Sequence, residues 1–216
     1  MKATDGVVRN EGGVRAGVLD GSPEQREAVG DLVAATRALM RAAAATSVDV
    51  EVIRRAEASI LAATEELGAR SRTRPLRPEF HGPATARDAG PETSWPMFVH
   101  NPLGIPLEIR FGEDEAWARL LPNPLHEGPP DCVHGGFSAH LLDCMLGTLM
   151  QARGSRSLTA SLELTYRRRT PLDEPLDLYS RIVEIDGRKT IAEGWIACNG
   201  ERTVTARGVF VRVDRE

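Results

Sequence analysis

The stretch from Gly136 to Met150 constrains the fold of this chain more than any other. It has the length of a helix of about four turns at 3.6 residues per turn, and leucine or methionine faces almost every side of it. A helix that is apolar all round is stable only when it is buried. Two glycines, Gly135 and Gly136, join it to a polar loop. The rest of the chain must therefore supply a surface that encloses one helix.

The segments around this helix have the alternating pattern of strands. Before it, Leu107, Ile109 and Phe111 alternate with polar residues, and a second run follows at Glu115 to Leu121. After it come four further runs: Ser157–Arg167, Leu176–Ile185, Lys189–Cys198 and Arg202–Val213. The dipeptides Asp186-Gly187 and Asn199-Gly200 are typical of two-residue hairpin turns.

This order of elements predicts an α+β fold. An antiparallel sheet with one apolar face can curl around a single apolar helix and bury it. That arrangement is the hotdog fold, and the pattern places it in residues 98–216.

The residues before the sheet divide into three further segments. Residues 1–22 are glycine-rich and predict a flexible tail. Residues 23–68 predict a helical hairpin, because Ser22 and Pro23 form a helix start and Gly68 is placed to end the second helix. Residues 69–97 mix prolines with arginines, which predicts a linker or an irregular wrapping segment.

Composition excludes several classes of function. A net charge of −4 argues against a general nucleic-acid binder, which is usually strongly basic. Three cysteines, with no C-x-x-C pair among them, favour a reducing compartment. The first residues have no apolar core for a signal peptide, and no apolar run approaches the length of a membrane span. We therefore expect a soluble, cytoplasmic protein with no membrane partner.

Asp143 is the exception in the apolar helix and the first candidate for chemistry. A carboxylate in a buried helix is costly unless it is hydrogen-bonded or faces a wet cleft. Near a helix start, such a group is a candidate catalytic acid or base. The alternative is a buried aspartate with a structural role, which caps a neighbouring strand or bonds to Thr159.

The glycine pair suggests the second half of a site. Gly135 and Gly136 let backbone amides come close to a ligand at a helix start, where the helix dipole favours negative charge. An oxyanion hole needs such donors. The alternative is a tight loop-to-helix junction that binds nothing.

The spacing between these two features predicts a shared site. Gly136 and Asp143 are seven residues apart, so they lie on nearly the same helix face. At about 1.5 Å per residue they are separated by about 10 Å along the axis. One carbonyl carbon cannot lie close to both groups. We therefore expect Gly136 of one subunit to act with Asp143 of another.

The sequence resembles the PaaI-like acyl-CoA thioesterases of the hotdog superfamily over about residues 98–213. The resemblance includes Asp143, nine residues after His134. The other segments that carry it are Asn101-Pro102-Leu103, Glu127-Gly128-Pro129-Pro130, His134-Gly135-Gly136, Tyr166-Arg167-Arg168-Arg169-Thr170-Pro171-Leu172 and Gly208-Val209-Phe210-Val211.

The resemblance implies hydrolysis of an acyl thioester, usually of coenzyme A, by a homodimer or homotetramer without a cofactor. It implies that Asp143 is the nucleophile or the general base and that the Gly136 amide polarises the carbonyl. His134 would shape the turn, and Thr159 would place a hydroxyl near the carboxylate or water. Asn101 and Gly135 lie in the same motifs and are candidates for substrate binding.

Other polar residues near the helix have two interpretations each. Arg167 and Arg168 could bind the phosphates of coenzyme A, because guanidinium groups suit phosphate geometry, or they could form a solvated strand end. His140, one turn before Asp143, could be the partner of that carboxylate or could line the core or the cleft, and we favour the second. Cys144 is expected to be a small core residue. The spacing of the cysteines and histidines matches no common zinc site, so we predict no metal.

Two other classes of function remain open. One is a hotdog module that binds an acyl thioester without cleaving it, since a helical pair before a hotdog resembles acyl-CoA-responsive repressors. The helices lack a basic face, however, because Glu51 and Glu57 offset Arg54 and Arg55. The other is a biosynthetic hotdog enzyme that acts on an acyl chain bound to a carrier protein.

Overall fold

The computed structural model describes residues 21–76 and 81–213, so nearly all of the predicted tail lies outside the described residues. The helices and strands run in one chain order, with a short 3₁₀ turn at Pro124–His126 before the last helix. The helices are α1 (Pro23–Ala45), α2 (Val50–Gly68), α3 (Gly82–Asp88) and α4 (Gly135–Ala152). The strands are β1 (Ser94–Met97), β2 (Leu107–Phe111), β3 (Glu115–Leu120), β4 (Ser157–Tyr166), β5 (Leu176–Asp186), β6 (Lys189–Cys198) and β7 (Glu201–Arg212).

The strands form one antiparallel sheet in the order β1-β2-β3-β5-β6-β7-β4. Each neighbouring pair is antiparallel, and β4 lies at one edge with β7 as its neighbour. The sheet packs against α4, which follows β3 in the chain. The predicted α+β hotdog architecture is confirmed.

The core forms where α4 lies on the concave face of the sheet. Leu141, Leu142, Met145, Leu146 and Leu149 are at most 1% exposed. The residues of α4 on its other side are only half-buried or exposed, and they form a stripe of Gly136, Ala139, His140, Asp143, Cys144 and Gly147. Asp143 therefore lies on the one face of the helix that the sheet leaves open.

The predicted linker at residues 69–97 contains two elements that the sequence pattern did not reveal. Pro83 lies in the first turn of α3, where proline is tolerated, and β1 pairs with β2 at the far edge of the sheet. Trp95 and Met97 of β1 pack against the core. Two prolines of this segment, Pro83 and Pro96, occupy a helix start and an edge strand, which are positions where proline is permitted.

The hairpin turns agree with the sequence prediction, with one shift. Asn199 and Gly200 have φ values of 51° and 81°, as the predicted turn between β6 and β7 requires. Between β5 and β6 the turn is displaced by one residue. Asp186 pairs with Lys189, so the loop consists of Gly187 and Arg188.

The two N-terminal helices form where the sequence predicts them, but their apolar faces are not buried against each other. Ser22 caps α1 by accepting from the Gln25 amide at 3.2 Å, and Arg72 donates to the Gln25 side chain at 3.0 Å. The chain thus returns to the start of α1, as a hairpin requires. No residue of α2 is buried, however, and the only buried residue of α1 is Val33. The contacts of α1 are instead made with the hotdog domain, where Arg37 donates to the Asn101 carbonyl at 2.7 Å.

Candidate active site

Asp143 and Thr159 meet at the boundary between α4 and the edge strand β4. The Thr159 hydroxyl donates to Asp143 Oδ1 at 3.1 Å. Asp143 is half-buried, whereas Thr159 is exposed. The arrangement leaves the second carboxylate oxygen available on the open face of the helix. The expected proximity of a hydroxyl to this carboxylate is therefore observed.

The charge of Asp143 affects its neighbour. Burial, together with the negative charge of Asp143, raises the pKa of the Cys144 thiol to about 12. Cys144 also contacts the His140 ring at 3.8 Å. Cys144 is therefore a neutral thiol on the half-buried stripe, in agreement with a small packing residue.

The start of α4 is shaped by His134. The Gly136 amide donates to His134 Nδ1 at 2.9 Å, and the His134 carbonyl accepts from the Phe137 amide at 2.9 Å. The amide predicted to polarise a carbonyl is thus bonded to the His134 ring. No acceptor is found for the Gly135 amide among the described residues, and the Gly135 carbonyl accepts from the Tyr166 hydroxyl at 2.9 Å.

The loop before α4 is held by backbone and side-chain bonds. His126 is buried, its Nδ1 accepts from the Asn123 amide at 3.1 Å, and its carbonyl accepts from the His134 amide at 2.8 Å. Burial lowers the pKa of His126 and so favours the neutral ring that this acceptor role needs. The Val133 amide donates to the Thr170 carbonyl at 2.9 Å. These bonds fix the direction in which His134 and the glycines enter the helix.

The three consecutive arginines after β4 point to three different surroundings. Arg169 donates to Cys132 Sγ at 2.9 Å and to the Pro130 carbonyl at 2.8 Å, so it secures the loop before α4. Arg168 forms an ion pair with Glu201 at 2.7 Å. Arg167 donates to the Thr205 hydroxyl at 3.3 Å.

Arg167 and Arg168 therefore contact different residues, and their guanidinium groups do not converge beside Asp143. Tyr166 reaches the start of α4, and alternation along the strand directs Arg167 to the opposite face of the sheet. There it lines a shallow depression with Trp195 and Arg202, whose guanidinium lies 3.8 Å from the Trp195 ring. The partner of Arg168 is Glu201, an exposed residue at the start of β7.

Asn101 uses its side chain inside its own loop. Its Oδ1 accepts from the Leu103 amide at 3.1 Å, and its carbonyl accepts from the guanidinium of Arg37 at 2.7 Å. The same loop begins with Phe98, whose ring lies 5.5 Å from the ring of His140. Sequence reasoning missed Arg37 and Phe98. The signal for Arg37 was its position four residues after Val33, on the face of α1 that is buried.

Comparison with known proteins agrees with this architecture. No family model matches the chain. A solved thioesterase superfamily protein superposes with a TM-score of 0.69 and 28% identity, covering 85% of this chain and 94% of that one. Acyl-coenzyme A thioesterase THEM4 of Mus musculus is 33% identical over 100 residues, which are 45% of this chain and 43% of the mouse protein. The Bos taurus protein of the same name is 30% identical over 95 residues, or 43% of this chain and 39% of the cattle protein.

The fold and these likenesses define the class of protein: the chain has the hotdog fold and resembles proteins of the thioesterase superfamily. The predicted family resemblance is confirmed. The chain spans less than half the length of the two mammalian relatives. Within the described residues, none of the helices combines the length and apolar character needed to cross a bilayer.

Proposed function

We propose that the protein hydrolyses an acyl thioester, with coenzyme A as the thiol. The observation that carries this proposal is the pairing of Asp143 with Thr159 on the open face of α4, about two helical turns from the glycines at the start of that helix. The thioesterase names of the mammalian relatives support the same reaction. A thioester bound to a carrier protein is the alternative substrate.

Asp143 supports two routes to the same products. As a general base it takes a proton from water while the water oxygen bonds to the thioester carbon, and collapse of the tetrahedral intermediate then breaks the carbon–sulfur bond. As a nucleophile, its carboxylate bonds to that carbon and releases the thiolate, and water then cleaves the resulting anhydride. In both routes the Thr159 hydroxyl fixes one carboxylate oxygen and leaves the other to react.

The start of α4 supplies the electrostatic half of the reaction. Negative charge develops on the thioester oxygen, and backbone amides at a helix start, with the helix dipole behind them, stabilise it. The Gly135 amide lacks an acceptor among the described residues. The Gly136 amide can donate to the thioester oxygen once its hydrogen bond to the His134 ring breaks. His134 thus holds the donor in place between turnovers.

A second copy of the chain completes this site. The strand β4 is ten residues long and pairs on one side with β7, so its other edge presents unpaired backbone groups. Both Thr159 and Tyr166 of this strand bond to α4. Association of two chains along β4 would therefore bring the start of one α4 towards Asp143 of the other. We propose a homodimer as the smallest active form, with a homotetramer as a pair of such dimers.

The test is a thiol-release assay across short, long and aromatic acyl-CoAs with the wild-type chain, Asp143→Asn and Asp173→Asn. Asp173 is an exposed acid in the segment between β4 and β5, and it provides the matched control. We expect Asp143→Asn to lower kcat by at least about 100-fold, the lower scale for loss of a general base, and Asp173→Asn to leave it unchanged. Near-full activity of Asp143→Asn would reject the assigned role. Tight acyl-CoA binding without release by the wild-type chain would favour the binding module.

A further inference from the structure

One arginine joins the N-terminal helix α1 to the hotdog domain. The guanidinium of Arg37 donates to three backbone carbonyls of one loop: those of Phe98, of Asn101 at 2.7 Å and of Gly104 at 3.2 Å. Its Nε is buried and has no hydrogen-bond partner among the described residues. Burial also lowers the pKa of Arg37. Burial disfavours the charged guanidinium, and the three carbonyls offset this cost and fix its position.

The loop from residue 98 to residue 104 is built so that those carbonyls converge. The Asn101 amide donates to the Phe98 carbonyl at 3.2 Å, and the Gly104 amide donates to the Asn101 carbonyl at 3.3 Å. Two linked turns thus direct three carbonyls towards one point. All three contacts are made by one guanidinium nitrogen, Nη2, so the reach of the arginine side chain places the donor at that point.

The same turns present the ring of Phe98 to α4. Phe98 has a φ of 57°, an uncommon value for a residue with a side chain. One face of its ring covers Gly104, where a Cβ atom would lie 2.2 Å from the ring. The ring also lies 5.5 Å from that of His140 at an angle of 31°. His140 precedes Asp143 by one turn on the open stripe, so Phe98 borders the face that carries the carboxylate.

Two further contacts make α1 and this loop one unit. His100 Nε2 lies 3.1 Å from the Arg26 carbonyl. Gly30 permits close approach, since a Cβ atom there would lie 3.3 Å from Val99 Cγ1. The contacts extend along the part of α1 from Arg26 to Arg37. These contacts hold α1 against the hotdog domain.

We propose that Arg37 is a positioning residue that holds Phe98 as a wall of the acyl-binding cleft, so that α1 sets the selectivity for the acyl group. This inference rests on the proposed thioester hydrolysis. The wall is apolar and aromatic, and it contacts apolar acyl groups long enough to reach it from the carbon that Asp143 attacks. Short acyl groups do not reach Phe98 and do not depend on Arg37.

The kinetic test uses acetyl-CoA and a set of longer acyl-CoAs with Arg37→Met, Arg37→Lys, Phe98→Ala and the Arg37→Met/Phe98→Ala double variant. Arg41→Met, one turn further along α1 at an exposed position, is the matched control. We expect Arg37→Met and Phe98→Ala each to lower kcat/KM for long acyl groups by about tenfold, chiefly through KM, the scale of one apolar contact in a specificity pocket. Acetyl-CoA hydrolysis should change little.

The double variant separates positioning from general support. If Arg37 acts through Phe98, the double variant loses no more selectivity than Phe98→Ala alone, because coupled residues are not additive. Arg37→Lys should resemble Arg37→Met, since the lysine side chain ends one bond short of the Nη2 position from which arginine contacts the three carbonyls. Equal losses for short and long acyl groups, or additive losses, would overturn the proposal.

A second measurement does not depend on catalysis. Amide hydrogen exchange in residues 98–104 should accelerate in both Arg37 variants and stay at the wild-type rate in Arg41→Met. Unchanged hydrogen exchange would contradict the positioning role of Arg37, whatever the kinetic result. If the wild-type chain cleaves no acyl thioester, the proposed function fails. Binding of long and short acyl-CoAs to the Arg37 variants, measured by calorimetry, then decides whether the wall exists.

Discussion

At the scale of single residues, the carboxylate of Asp143 affects two neighbours, a hydroxyl on β4 and a thiol on α4. Thr159 donates to Asp143, and Cys144 next to it is held as a thiol by burial and by that charge. The hydroxyl, and not the thiol, is thus the group that contacts the carboxylate. A cysteine adjacent to a candidate catalytic acid is a tempting nucleophile, and the environment of Cys144 argues against that role.

The pKa of Cys144 leads to a direct prediction. With a pKa of about 12, the thiolate fraction at pH 8 is about 10⁻⁴, so alkylation of Cys144 by iodoacetamide should be very slow. Its rate should keep rising with pH up to that pKa. Mass spectrometry of the labelled peptide measures this rate, with a small free thiol as reference. Cys144→Ala should retain wild-type kcat, and rapid labelling at neutral pH would contradict the assignment.

At the scale of elements, the close packing of α4 on the sheet, called its seat below, depends on two glycines in the strands. A Cβ atom at Gly194 of β6 would lie 3.0 Å from the Tyr179 carbonyl and 3.3 Å from Leu142 Cδ2. At Gly208 of β7 it would lie 2.6 Å from the Phe210 ring. These glycines therefore set how closely the helix approaches the strands, and with it the depth of Asp143.

Filling this seat should destabilise the fold. Gly194→Val adds atoms where the helix and a neighbouring carbonyl already lie in contact, and overpacking of this kind costs about 1–3 kcal/mol. Urea denaturation measures the change in the free energy of unfolding. Gly68→Ala is the control, because a Cβ atom there would meet nothing within 4 Å and should not lower stability. An unaltered midpoint for Gly194→Val would show that α4 is not seated as described.

The elements also show where sequence patterns failed. The strands β2 to β7 alternate clearly, and their bounds were predicted within two residues. Strand β1 and helix α3 were missed because both are short and contain proline. Their formation depends on Trp95 and Met97 finding the core, which is a contact between distant parts of the chain.

At the scale of the whole molecule, the proposed site requires groups from two chains. Gly136 and Asp143 lie on one continuous helix, so they remain about 10 Å apart in any conformation of it. The edge strand β4 lies beside Asp143 and offers backbone groups for pairing with a second chain. Catalysis and association should therefore be inseparable.

Mixed dimers test this dependence. Gly136→Pro removes the amide donor while proline remains tolerated in the first turn of a helix, and Asp143→Asn removes the carboxylate. Each variant alone should be inactive. Dimers with one chain of each kind should regain about half of the wild-type activity, because one of the two symmetry-related sites receives both intact groups. Absence of recovery in mixed dimers verified by mass spectrometry would contradict a site shared between two subunits.

The sequence by itself determined the buried helix, most of the strands, the Asn199-Gly200 turn and Asp143 as the acid of interest. These features follow from local periodicity and from one polar residue in an apolar pattern, so neighbouring residues are sufficient to specify them. Only the tertiary structure decided that the three arginines diverge, that His134 binds the Gly136 amide and that Arg37 fastens the Phe98 loop. Each of these depends on side-chain directions and on contacts across the chain, which a one-dimensional pattern does not encode.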